Sequence, residues 1–191
     1  MIERILNWDS ELFLRINKLG IGQESFWLFV TSHYFWLFLF VPLFILLFKK
    51  PYKQFVYIIL AFVLLILISD QFANIIKLTV QRPRPCQIIY LLKEMNFIAT
   101  HCGAYGFYSA HAANSMAVVV FACLILKHIN RFKPWYGVLG ICFVILVSIS
   151  RIMVGVHYPL DIFIGWIIGI IFAYLIYVVY RLVEIRYTKK A

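Results

Sequence analysis

The sequence predicts an all-α fold: a polytopic bundle of about five membrane-spanning helices, preceded by an amphipathic helix on the membrane surface. Three observations carry this. Of 191 residues, 64% are hydrophobic and 18% aromatic, while 14% are charged, well below the roughly 25% of a soluble globular protein. So little polar surface cannot wrap a water-soluble body, and so apolar a chain does not stay disordered. The apolar residues also fall in long runs: a bilayer core of about 30 Å needs about 20 of them in a helix. Finally, 18 Lys+Arg stand against 8 Asp+Glu, placed between the runs rather than along one stripe. That argues for cationic loops and against nucleic acid as a partner. The length suits one domain, residues 1–191.

Residues 1–25 come first. Ile2, Ile5, Leu6, Trp8, Leu12, Phe13 and Ile16 alternate with Glu3, Arg4, Asp9, Glu11, Arg15 and Lys18 until Gly20 and Gly22. This is the pattern of a helix lying in the membrane interface. It lacks the uninterrupted apolar stretch and cleavage site of a signal peptide, so it is expected to be retained. The apolar runs are 26–48, closed by Lys49, Lys50 and Pro51; 55–76, closed by Lys77; 109–126, ending at Lys127 and His128; 135–149, running into Ser150 and Arg151; and 159–180, followed by Arg181 and Arg186. Gly165 and Gly169 form G-x-x-x-G on the fifth run, which permits close packing and is expected to serve it within one chain. The oligomeric state is not legible.

If all five runs span, Lys49, Lys50, Lys53, Lys127, Arg131, Lys133, Arg181, Arg186, Lys189 and Lys190 share one face. The other face has Arg4, Arg15, Lys18, Lys77, Arg82, Arg84, Lys93 and Arg151. Discounting Lys77, Arg84 and Arg151, which are assigned to chemistry below, makes the first face cytoplasmic. The 77–108 loop and the N-terminal helix then lie on the opposite side, expected to be the periplasm or exterior of a bacterial inner membrane. Cys123 and Cys142 fall inside spans, as small apolar residues do. Cys86 and Cys102 share the outer loop, where an oxidising compartment permits a disulfide, with two free thiols as the alternative.

Topology brings seven chemically capable residues to that outer face: Lys77, Arg84, Ser109, His111, Arg151, His157 and Asp161. Together they suit a phosphate ester. Lys77 is a point charge, and Arg84 and Arg151 are planar forks able to hold phosphate oxygens in bidentate fashion. Ser109 stands at an N-cap, where free N–H groups and the helix dipole favour an anion. Asp161, in the first turn after Pro159, can take one N–H of the His157 imidazole and leave the other nitrogen as nucleophile. His111 remains to protonate the leaving oxygen. Arg82 and Lys93 are expected to be ordinary interfacial anchors. A zinc site from His101, His111, His157 and Asp161 is the competing reading. Three cations at one spot would repel a metal and already supply its charge, so neither metal nor cofactor is expected. Asp70, Asn74 and Lys77 share one helix face by their spacing. Asp70 is therefore placed either to steady Lys77 through Asn74 or water, or to bond a neighbouring helix.

These residues resemble the type 2 phosphatidic acid phosphatase superfamily, integral-membrane lipid phosphatases, whose pattern is K-x6-RP, PSGH, then SR-x5-H-x3-D. Lys77 to Pro85 and Ser150 to Asp161 match the first and third elements in full, across roughly residues 70 to 165. In the middle element Tyr108 stands for Pro and Ala110 for Gly, which places a methyl beside the phosphate cradle, while Ser109 and His111 remain. The resemblance implies two in-line steps: His157 attacks phosphorus, the cations and Ser109 stabilise the equatorial oxygens, His111 protonates the leaving group, and water releases phosphate. The substrate expected is an amphiphile: undecaprenyl pyrophosphate, phosphatidylglycerophosphate or a lipid A phosphate. The competing functions are a lipid phosphotransferase with the same intermediate and a non-catalytic transporter of phospholipid anions.

Overall fold

The computed structural model describes residues 2–48 and 52–188. Lys49, Lys50, Pro51, Lys189 and Lys190 lie outside the described residues, as does the side chain of Lys53. The described residues form eight α-helices: α1 Ile2–Lys18, α2 Glu24–Thr31, α3 Leu37–Phe48, α4 Tyr52–Val80, α5 Ile89–Glu94, α6 Ala110–His128, α7 Pro134–Met153 and α8 Pro159–Thr188. Four of them (α4, α6, α7 and α8) are long and apolar enough to cross a membrane. The molecule is an all-helical integral membrane protein.

The first apolar run departs from the expectation of one continuous helix. It breaks at Ser32, and Glu24–Thr31 and His33–Phe48 meet at a bend of 61°, a broken span or a re-entrant segment. Ser32 is extended there (φ −75°, ψ 159°), and its hydroxyl donates to the Phe29 carbonyl at 2.7 Å. A side chain that satisfies the last turn in this way competes with helix continuation. A 3₁₀ turn, His33–Trp36, leads into α3.

The central helix is α6. Of its apolar stretch 67% is buried, against 22% for α4 and 28% for α8, and α4, α7 and α8 pack around it. Small residues make that possible, since lipid offers no hydrophobic drive for helices to associate and close backbone contact must supply the attraction. A Cβ built on Gly165 would lie 2.8 Å from the Ser109 carbonyl oxygen, and one on Gly169 would lie 2.4 Å from that of Ala113. The G-x-x-x-G pair is thus the α6–α8 seam within one chain. It sets the N-terminus of α6 beside the first turn of α8, where the Ser109 N–H donates to the Asp161 carbonyl at 3.0 Å.

α1 differs from a helix lying wholly on a surface. Ile5, Leu6 and Trp8 are exposed, but Asp9, Phe13 and Asn17 are fully buried. Spaced four apart, these three form one stripe. The Asn17 side-chain amide donates to the carbonyls of Ile152 and Met153 at 2.9 and 3.0 Å, and its oxygen accepts the Asn96 N–H at 2.7 Å. One face of α1 is therefore free for lipid, and the other is built into the protein.

Candidate active site

Four chain segments deliver the site. The first is the end of α4. The helix carries Lys77 in its last turn and stops at Gln81, which adopts φ 51°. The next residues run extended and pair with the returning loop: Gly106 N–H donates to the Arg82 carbonyl at 2.9 Å and Arg84 N–H to that of Ala104 at 3.3 Å, around a bridge between Pro83 and Tyr105. Cys86 and Cys102 are joined in a disulfide just beyond this ribbon. Arg84 Nε donates to the Tyr105 carbonyl at 3.0 Å. Gly103 and Gly106 make room for its side chain, since a Cβ on either would come within 3.3 and 3.1 Å of it.

The second segment is the N-terminus of α6. Ser109 is the N-cap, its side-chain oxygen accepting from Ala112 N–H at 3.4 Å, and His111 lies in the first turn. Tyr108 and Ala110, the two departures from the middle motif, are buried together with Ala73 of α4 and Ala113. The Ala110 methyl, next in sequence to the N-cap Ser109, packs in an apolar cluster with residues of α4, α6 and α8.

The third segment is the turn from α7 to α8. Gly155 has φ +87°, a left-handed conformation that L side chains rarely adopt. The chain doubles back so that Val156 and His157 both donate to the Arg151 carbonyl, at 3.1 and 3.3 Å. The five-residue gap between Arg151 and His157 is thus the length of one tight reversal. Asp161, one turn into α8, accepts the Tyr158 N–H on Oδ2 at 3.0 Å and sets that oxygen 3.4 Å from His157 Nδ1. At that distance Nδ1 makes no hydrogen bond, but it is the ring nitrogen on the carboxylate side.

The fourth segment is the break in the first run. Thr31, at the end of α2, takes a short hydrogen bond from Arg151 Nη1, while Arg151 Nε is buried without a partner. Thr31 is a site residue that the sequence did not reveal.

All seven predicted residues converge. Lys77 faces Arg84, Arg151 and Asp161, and His111 faces Arg151, His157 and Lys77. Burial, reinforced by Arg151, Arg84 and Lys77, holds the His157 imidazole well below its ordinary range, so it is neutral and able to attack. Burial also lowers Arg84, against the opposing pull of the Asp161 carboxylate. Asp70 is half-buried and faces Lys77, whereas Asn74 is exposed on α4. Lys93 and His101 are exposed. Among the described residues no three His, Cys, Asp or Glu side chains form a metal-binding group, so His101 does not join His111, His157 and Asp161.

Arg82 corrects its expected role. It is no interfacial anchor: Nη1 donates to Asp161 Oδ1 at 2.8 Å and Nη2 to Asp9 Oδ2 at 2.6 Å. Its guanidinium lies 4.0 Å above the Tyr158 ring. The Arg82-Pro-Arg84-Pro doublet gave no signal of this, because residues two apart in extended backbone line the same face.

The chain is similar to several known proteins. A lipid A 4'-phosphatase of Porphyromonas gingivalis is 30% identical over 97% of this chain and 78% of its own length. An undecaprenyl-diphosphatase of Sulfolobus acidocaldarius is 28% identical over 87% of this chain and 76% of its own. Among solved structures, the PAP2-type phosphatidylglycerolphosphate phosphatase of Bacillus subtilis shares the fold with TM-score 0.68 at 18% identity, over 91% of this chain and 84% of that one. LpxE of Aquifex aeolicus gives TM-score 0.64 at 28% identity, over 87% and 92%. The PAP2 superfamily model matches residues 58–184, and the chain belongs to that superfamily.

Proposed function

We propose that the protein hydrolyses a phosphomonoester on a lipid A-type glycolipid, through a phosphohistidine on His157 and without a metal, at the non-cytoplasmic membrane face. The coarser activity, a PAP2-type lipid phosphatase, rests on the superfamily and on relatives that are named phosphatases. The observation that carries the mechanism is the convergence of three cations on a neutral imidazole whose Nδ1 side faces a carboxylate. His157 Nε2 attacks phosphorus in line and the bond to the leaving oxygen breaks. The proton of His111 goes to that oxygen. Lys77, Arg84, Arg151 and the α6 N-terminus with Ser109 balance charge on the equatorial oxygens. Water, deprotonated by His111, then attacks phosphorus, the N–P bond breaks and inorganic phosphate leaves.

A cavity of about 480 Å³ supports the substrate class. Its wall includes His111, Asp70, Gln71 and Asn114 at one part and Trp36 and Phe40 at another, and Asn114 Oδ1 has no partner. His111, the proposed proton donor to the leaving oxygen, lines the cavity, which offers acceptors to hydroxyls, as a sugar would use, together with apolar surface for acyl chains. Asp70 would repel a second phosphate there, which disfavours a diphosphate. The disulfide and the ionic cluster on the far end of the bundle support the non-cytoplasmic placement.

The test is phosphate release in detergent from a lipid A phosphate, a polyprenyl diphosphate and phosphatidylglycerophosphate, with and without chelator, beside His157→Ala. Expected are fastest release from the glycolipid, no effect of chelator and no turnover by the variant. Preference for another lipid overturns the substrate assignment, and a strict need for an acceptor lipid makes the enzyme a phosphotransferase. Loss in chelator restored by a metal, or full activity of His157→Ala, overturns the mechanism.

A further inference from the structure

We propose that Asp9 and Arg82 are positioning residues: through them α1 holds the Asp161 carboxylate, and so His157, in its reactive orientation. The proposal rests on His157 as nucleophile. It starts from a closed ring of bonds. Asp161 Oδ2 is committed to the Tyr158 N–H and to the side of His157 Nδ1, so its rotation is fixed only if Oδ1 is also held. Arg82 Nη1 holds it at 2.8 Å. Arg82 is fixed in turn by Asp9 Oδ2 at 2.6 Å and by lying on the Tyr158 ring at 4.0 Å. Asp9 Oδ1 closes the ring by accepting the N–H of Leu160, the neighbour of Asp161, at 2.9 Å.

Burial makes the arrangement stiff. Both carboxylates are 0% exposed and the Arg82 side chain 13%. A guanidinium spanning two carboxylates has its charge and its fork already used, which separates Arg82 from Arg151, whose Nε is buried without a partner. Arg82 therefore serves the orienting carboxylate rather than the phosphate. A lysine at this position could keep the charge but not both fixed bonds.

α1 also grips the same turn from its other end. Asn17 bonds the carbonyls of Ile152 and Met153 while Asp9 bonds Leu160, so the residues between them, His157 included, are clamped at both edges. Phe13 lies midway and meets Tyr158 edge-on, with ring centroids 5.7 Å apart. The N-terminal helix, which carries no catalytic residue, thereby becomes part of the machinery that aims one.

The experiment compares Asp9→Asn and Arg82→Lys with the parent protein, each also in an Asp161→Asn background, with kcat and KM measured separately. Expected is a fall in kcat of about 10- to 100-fold, the scale on which misplacing a reacting group acts, with KM retained because Lys77, Arg84, Ser109 and Arg151 are untouched. In the Asp161→Asn background neither change should lower the residual kcat further, since both act through that carboxylate. A merely structural role would instead give losses that multiply. Unchanged kcat, multiplying losses, or a rise in KM with kcat intact would each overturn the proposal. His157→Ala separates the two readings: if it is inactive while Asp9→Asn and Arg82→Lys run at full rate, the coupling alone fails, and if it turns over, the nucleophile assignment fails.

Discussion

Two histidine–carboxylate pairs sit at opposite ends of the α6–α8 seam and behave as opposites. At the far end His128, the last residue of α6, sets Nε2 2.7 Å from Glu184 Oε2. Its Nδ1 lies 2.7 Å from Arg181 Nη1, and Glu184 Oε1 accepts from Gln54 at 3.0 Å and from the Tyr180 hydroxyl at 3.1 Å. Both nitrogens of His128 and both oxygens of Glu184 have partners there, although Arg181 Nε, 3.3 Å from Glu184 Oε2, makes no hydrogen bond. At the near end His157 lies 3.4 Å from Asp161, its Nδ1 and Arg151 Nε are buried without hydrogen-bond partners, and three cations face one another. The residue types are the same. What separates a structural cluster from a reactive one is satisfaction: buried donors left open are costly unless a ligand completes them.

The contrast can be broken by mutation, and the largest effect is on turnover. His157→Ala should lower kcat by about 10⁴-fold or more, as loss of a nucleophile does, while His128→Ala should leave kcat at the parent value. Steady-state phosphate release from both variants checks this, and a comparable loss in His128→Ala would dissolve the distinction. Next, Arg151→Lys should cost about 10²-fold in kcat/KM, the scale of a lost transition-state donor, whereas Arg181→Lys should leave kinetics alone.

The seam that joins the two ends gives a smaller effect on stability. Gly169→Ala must place its methyl where the Ala113 carbonyl lies 2.4 Å away, so α6 and α8 have to part, at about 1–3 kcal/mol of overpacking. A lower unfolding temperature in detergent should appear, and an unchanged one would mean the helices yield freely. Smallest is a pH effect. The His157 imidazole is depressed from its ordinary 6.5, so the unfolded chain takes up a proton that the folded protein refuses as pH falls. Its contribution to stability is present above pH 6.5 and lost progressively below it. Unfolding temperatures taken from neutral pH downward should fall less steeply in His157→Gln than in the parent, and equal slopes would show that His157 is not held neutral.

Much of this was legible in the sequence because a membrane makes topology a geometric statement. Charged and polar residues at the ends of apolar runs have nowhere to go but the interface, so Lys77, Arg84, Ser109, His111, Arg151, His157 and Asp161 were bound to meet if the runs alternate. Asp9 and Arg82 were not legible. Their bond spans 73 residues, and a single Asp on an amphipathic helix is indistinguishable from a solvated one until Phe13 and Asn17 are seen to share its stripe. The break at Ser32 was equally hidden, since the run from 26 to 48 carries its one proline ten residues further on, at Pro42. A hydroxyl bond and the tie of Thr31 to Arg151, both invisible to hydropathy, mark the break.

The central claim is that the open pair is the one that bears the phosphoryl group. A substrate labelled in its phosphate, mixed with enzyme, quenched in alkali during turnover and mapped by peptide, tests it most directly. The account predicts label on the peptide containing His157, stable to base and labile to acid. Label on another residue, or hydrolysis that proceeds with inversion at phosphorus and no protein-bound label, would contradict it.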